Sequence, residues 1–267
     1  MSSRRGPKPH RIAPQWLAAF AGLLTCASGA QAVEYVRIPA GTFSSVLASD
    51  AAPGPAAYRE FDMRTNPVTQ GEFQAFVSAN PQWRRDRISR TFADAGYLQN
   101  WRSALVLAND QADRQPAVNV SWFAAQAFCE GEGARLPTWS EWELVAAADG
   151  SRRDARDDLA WRARILSWYA RPATQALPLV GGAPNVYGVR DMHGLIWEWV
   201  DDFNALLVNP DSRSAEDADK LQFCGAGAIN LQQRENYAVL MRIALLSSLN
   251  ASDSTSTLGF RCVRPTH

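Results

Sequence analysis

Residues 134–143 read Ala134-Arg135-Leu136-Pro137-Thr138-Trp139-Ser140-Glu141-Trp142-Glu143, followed by Leu144-Val145-Ala146-Ala147-Ala148. Thr138 offers a side-chain oxygen to a helix start, and Glu141 stands three residues on, the spacing of a capping box. The stretch therefore predicts a helix over Trp139–Ala148, with Arg135, Glu141 and Glu143 in capping and ion-pair roles. Working outward, the same kind of start recurs upstream. Thr69 predicts a helix over Gln70–Ser78 that buries Phe73, Phe76 and Val77, and Ser121 predicts one over Trp122–Glu130 that aligns Trp122, Ala125 and Cys129. Val33 to Ile38 alternates as a strand does, and Pro39-Ala40-Gly41-Thr42 breaks it. Ser44 to Ala57 and the acidic stretch Asn209 to Lys220 read as loops. Gln232 to Leu249 has a partly helical pattern of ambiguous period. The 10 tryptophans follow no clean helical or strand period. That distribution predicts an α+β fold with much irregular structure, held by aromatic packing and a cross-link, over a layered parallel sheet.

The chain has 267 residues, 46% hydrophobic and 20% charged, ordinary values for a globular protein with a sizeable core. Residues 1–32 have the layout of a secretory signal peptide: Arg4, Arg5, Lys8 and Arg11, then the apolar run Trp16–Thr25, then Ala30-Gln31-Ala32. The run is too short for a comfortable membrane anchor. Ser3-Arg4-Arg5 raises twin-arginine export, but Gly6-Pro7 matches it poorly, and Thr25 before Cys26 makes a poor lipobox. Cleavage after Ala32 leaves 33–267 as one domain in the periplasm or outside the cell. That domain carries 23 basic and 27 acidic residues, and Lys220 is its only lysine. Neither nucleic acid nor a membrane surface fits that balance. Cys129, Cys224 and Cys262 remain, so an oxidising compartment predicts one disulfide, of three possible pairings, and one leftover thiol.

Four segments together resemble the formylglycine-generating enzyme, or sulfatase-modifying factor, family. They are Val36–Phe43 with Asn66-Pro67-Val68-Thr69; Pro116–Trp122 running on to Arg135–Glu143; Asn185–Trp199; and Leu258-Gly259-Phe260-Arg261-Cys262. Their order and spacing cover the whole of 33–267. The resemblance implies a C-type lectin-like α+β domain. Within the family the chain is similar to a periplasmic branch that includes pyoverdine-maturation and nitrite-reductase-associated members.

The resemblance also implies particular sites. Calcium would be held by the side chains of Asp191 and Glu198 and the carbonyls of Gly194 and Ile196, in a structural role. The competing reading of the same residues is that Glu198 pairs with an arginine and Asp191 caps a turn; the oxygen-rich turn favours calcium. The family's disulfide maps to Cys129–Cys262. Its copper-binding cysteine pair has no counterpart, because Ile229 to Leu245 contains no cysteine, and Cys224-Gly225-Ala226-Gly227-Ala228 replaces its serine element. Copper chemistry is therefore doubtful, and so is iron, because only His193 and His267 remain in the mature domain. His193 reads as a surface residue, and Arg261 as structural beneath the terminal strand. Cys224 is the candidate nucleophile, set against the plainer reading of a buried small hydrophobe. Asn230, Arg234, Asn236, Tyr237 and Arg242 fall where the family places its substrate groove. These features predict oxidative maturation of an exported peptide, siderophore precursor or protein. The alternative is a non-catalytic binding or assembly factor for an exported metalloenzyme. A sugar-binding lectin rests on fold analogy alone.

Overall fold

Each of the first four helices begins where the sequence offers an oxygen to the first turn. In α1 (Gln70–Ala79) the Thr69 hydroxyl accepts from the Glu72 N–H while the Glu72 carboxylate accepts from the Thr69 N–H. The same reciprocal pair, Thr138 and Glu141, opens α3 (Trp139–Ala146). Ser121 caps α2 (Trp122–Gly131) by accepting from the Ala124 N–H. Asp158 caps α4 (Leu159–Tyr169) by accepting from the Trp161 N–H. A fifth helix, α5, spans Tyr237–Ser247. These are features of a computed structural model that describes residues 33–47, 54–170, 175–206 and 237–266. The chain from Val33 onward forms one compact unit.

The strands are short. β1 (Tyr35–Ile38), β4 (Phe61–Arg64) and β7 (Val263–Pro265) form an antiparallel sheet in the order β1-β4-β7. Its register places Val36 opposite Met63 and Met63 opposite Val263. β2 (Gly41–Phe43) pairs with β3 (Ala56–Tyr58), so the stretch expected as a loop from Ser44 to Ala57 ends in a strand. β5 (Trp197–Glu198) and β6 (Leu258–Gly259) form a two-residue parallel pair.

Two expectations need adjusting. α3 stops at Ala146 because the chain tightens there: the Ala148 N–H turns to the Val145 carbonyl, and the Ala147 carbonyl accepts from the Ala155 N–H. α4 was not anticipated. The α1 face comes out nearly as read, with Phe73 and Val77 buried and Phe76 partly so. Phe73 is the hub of an aromatic cluster, with ring centres 5.6 Å from Phe76, 5.9 Å from Phe128, 5.9 Å from Phe260 and 6.3 Å from Trp101. Phe260 and Trp101 meet Phe73 edge to face, Phe76 and Phe128 meet it tilted, and together the rings fill a core that short strands alone could not. The sulfurs of Cys129 in α2 and Cys262, just before β7, lie 2.03 Å apart, and both residues are fully buried. Mixed helix and sheet with long irregular connections is thus the architecture. Among the described residues, no helix is long and apolar enough to cross a membrane.

Candidate functional site

The β5–β6 pair places Glu198 in the middle of the molecule with no exposure to solvent. Gly259, its partner in register, has to be glycine, because a β-carbon there would land on the Ala117 carbonyl oxygen. A buried carboxylate requires partners, and Glu198 has three N–H groups. The Arg261 guanidinium donates through Nε to Oε2 at 2.8 Å and through Nη2 to Oε1 at 2.7 Å, and Trp142 Nε1 donates to Oε2 at 2.8 Å. The Glu198 backbone carbonyl accepts from Arg242 Nη2. Arg242 in turn lies 3.5 Å above the Trp142 ring centre. α3 thus presents Trp142, the C-terminal segment Arg261, and α5 Arg242 to one residue of β5.

The turn before β5 runs through Asp191 and Gly194, with φ of 57° and 94°. The Asp191 carboxylate faces away from Glu198's partners. It accepts from the N–H groups of Gly181 at 2.7 Å and Gly182 at 3.1 Å. Ile196 is buried with Val118 and Leu195. Whether Asp191, Gly194, Ile196 and Glu198 could hold calcium turns on what the two carboxylates are already bonded to. A hard cation takes six to eight oxygens, whereas here both oxygens of both carboxylates already receive N–H donors. The competing reading, Glu198 paired with an arginine and Asp191 closing a turn, matches the geometry. Among the described residues no group of three or more His, Cys, Asp or Glu converges as a metal site.

Two further expectations are corrected. Arg242 was expected in the substrate groove, but it is 2% exposed and packed on Trp142, and burial pulls its guanidinium pKa down to about 10. His193 was expected on the surface. Instead its ring stands edge-on between Trp142 and Trp161, with centres 5.7 and 5.5 Å away, and Nε2 lies 2.9 Å from the Ala146 carbonyl oxygen. Desolvation lowers its pKa to about 4, so it is neutral at physiological pH. Arg135 and Glu141 pair at 2.6 Å beside the α3 cap, the structural role expected for them. Glu143 is buried and ties α3 to the 44–47 segment. It accepts from the Val46 N–H at 2.9 Å and from Trp139 Nε1 at 2.8 Å, and burial raises its pKa. Tyr237 opens α5. Cys224, Asn230, Arg234 and Asn236 lie outside the described residues.

One surface was missed from sequence. Trp168 and Tyr169 at the end of α4 meet Trp197 of β5, with ring centres 4.6 Å (Trp168–Tyr169), 4.7 Å (Tyr169–Trp197) and 5.5 Å (Trp168–Trp197) apart. All three are half-buried, and burial pushes the Tyr169 phenol up to about 12. α4 packs against α5. Flat rings on a surface of this kind offer a stacking or apolar face to a ligand group. The cap Asp158 and the i, i+4 pair Trp161–Ile165 were the available signals for α4.

Short helices and split sheets closed by a C-terminal arginine on a buried glutamate of a two-residue strand define a particular class of scaffold. The chain belongs to the family described by the sulfatase-modifying factor enzyme 1-like domain, whose family model matches residues 23–266. It is 28% identical over 186 residues to a formylglycine-generating enzyme of Streptomyces coelicolor, covering 61% of this chain and 57% of that one. It is 32% identical over 155 residues to a hercynine oxygenase of Mycobacterium tuberculosis, covering 50% and 35%. It is 34% identical over 162 residues to the inactive C-alpha-formylglycine-generating enzyme 2 of Mus musculus, covering 55% and 48%. The match thus spans 57%, 35% and 48% of the length of these three relatives.

Proposed function

We propose that this chain is an exported member of the family that takes part in oxidative maturation of a peptide, siderophore precursor or protein in the periplasm, by a route that does not use paired cysteines. The observation that carries this reading is the family match over residues 23–266, with relatives named as a formylglycine-generating enzyme and a hercynine oxygenase. The half-buried Trp168–Tyr169–Trp197 surface supports a substrate contact beside α5. Glu198, Arg242, His193 and Asp191 are engaged in holding the fold, so the chemistry is assigned elsewhere, with Cys224 the candidate nucleophile. Calcium is not part of this proposal, because its expected donors are occupied.

A second reading, a non-catalytic binding or assembly factor for an exported metalloenzyme, is favoured by a specific observation. The described interior commits its charged groups to structure, and one relative is named inactive. One experiment separates the two. Purified protein is incubated in air with cysteine-containing and catechol-containing peptides, with copper or iron salts supplied in turn, while oxygen uptake and peptide mass are followed. Catalysis predicts oxygen consumption that Cys224→Ser abolishes. A stable one-to-one complex with unchanged peptide mass selects the binding factor.

A further inference from the structure

We infer that the Arg261 guanidinium does the work of a structural cation in this fold, so that the turn from Asp191 to Glu198 is closed without a divalent metal. The argument rests on what surrounds that one group. Besides its two bonds to Glu198, Arg261 donates through Nη2 to the Arg190 carbonyl at 3.0 Å, and through Nη1 to the carbonyls of Arg64 at 3.3 Å and Thr65 at 3.4 Å. A bidentate carboxylate and three peptide oxygens is an oxygen set of the kind a hard cation collects. Here they converge on a planar fork whose five N–H groups match that set in number and direction. Both Arg261 and Glu198 are wholly shielded from solvent, so screening by water or salt does not weaken the pair.

The oxygens come from three separate parts of the chain. Arg64 ends β4 and Thr65 follows it, Arg190 precedes the turn, and Glu198 lies in β5. Arg261 itself sits between β6 and Cys262, so a single side chain gathers the sheet, the turn and the C-terminal segment. Asp191, which a calcium site would need, is turned outward to the Gly181 and Gly182 N–H groups. Gly182 permits that approach, because a β-carbon there would collide with the Asp191 carboxylate. The two carboxylates therefore face different partners.

The test uses the full chain, purified and split between excess EDTA and saturating calcium chloride. The thermal midpoint is expected to be the same in both. A site filled to about a hundred times its dissociation constant would raise the midpoint by roughly 5–10 °C in a domain of this size. Terbium, which takes calcium's place and is excited through nearby tryptophan, is expected to give no sensitised emission that calcium displaces. Trp142 donates to Glu198, so an ion bound there would be reported. Arg261→Lys keeps the charge but loses the fork, and is expected to lower the midpoint by several degrees with no rescue by calcium. A calcium-dependent rise in the wild-type midpoint, or displaceable terbium emission, overturns the inference. So does an Arg261→Lys protein as stable as wild type. None of these readouts depends on activity, so the outcome stands apart from that of the oxygen-uptake experiment.

Discussion

His193 is held neutral by its surroundings, and that has a consequence for acid stability. Its ring is wedged between Trp142 and Trp161, and its pKa falls from 6.5 to about 4 because the charged form loses hydration. A base whose folded pKa is lowered binds protons more readily when unfolded. Its stabilising contribution is complete above 6.5 and is lost as pH falls through 6.5 toward about 4. Full desolvation would make that loss about 3 kcal/mol, and the partial exposure of the residue reduces it to about 1–3 kcal/mol. Glu143 acts in the opposite sense: its raised pKa means that stability is gained as pH falls toward it. The difference between wild type and His193→Gln cancels Glu143, so urea midpoints of the two proteins should converge between neutral pH and pH about 4. Parallel curves would refute the assignment. Gly259→Ala tests the same interior by size. Its β-carbon meets the Ala117 carbonyl and the Ile196 side chain, and a loss of about 3 kcal/mol or failure to fold is expected in urea melts. Both readings of Glu198, metal ligand and arginine partner, were visible in its sequence context. The arginine that pairs with it in the fold, Arg261, is 63 residues away. No local pattern carries that.

Helices were legible where their caps were. Thr69, Ser121 and Thr138 each marked a start that the structure places at the same residue, because capping is a contact among residues two or three apart. α4 carries the same signal in Asp158, but its face is poorly sorted: Trp161 and Ile165 are buried while Leu159 and Leu166 are exposed. The strands, two to four residues long, were mostly illegible. β5 is a strand only because β6 lies alongside it, and the paired residues are 61 positions apart. The cap of α3 gives the prediction at this scale. Thr138→Ala removes the oxygen that the Glu141 N–H uses and should cost about 1 kcal/mol, read as a lower urea midpoint with unchanged slope. Glu141→Gln should cost more. It keeps a group that can accept from the Thr138 N–H but gives up the two-pronged pairing with Arg135, at 2.7 and 2.6 Å. A Glu141→Gln protein as stable as wild type would leave the ion pair without effect and assign this site's contribution to the cap alone.

The molecule is closed by its last few residues. Leu258 and Gly259 form β6, Phe260 enters the aromatic cluster, Arg261 gathers the buried carboxylate, Cys262 meets Cys129, and Val263 to Pro265 complete the first sheet. The order of the four family segments made this closure readable from sequence as a resemblance, while the contacts that enforce it come from opposite ends of the chain. Cys129 and Cys262 are 133 residues apart, so the bond restricts about half of the chain when unfolded. In the chain-entropy treatment, closing a loop of that length stabilises the fold by about 4–5 kcal/mol at room temperature. That figure approaches the whole net stability of many domains. The native contacts of Phe260 and Arg261 do not need the covalent bond. Reduction should therefore leave the folded far-ultraviolet spectrum intact in the absence of denaturant and move the urea midpoint sharply down. Cys129→Ala/Cys262→Ala should behave as the reduced protein does, and should no longer respond to reductant. If instead the midpoint is the same with and without reductant, the terminal segment is held by packing and the Arg261 fork alone, and the cross-link contributes nothing to the closure.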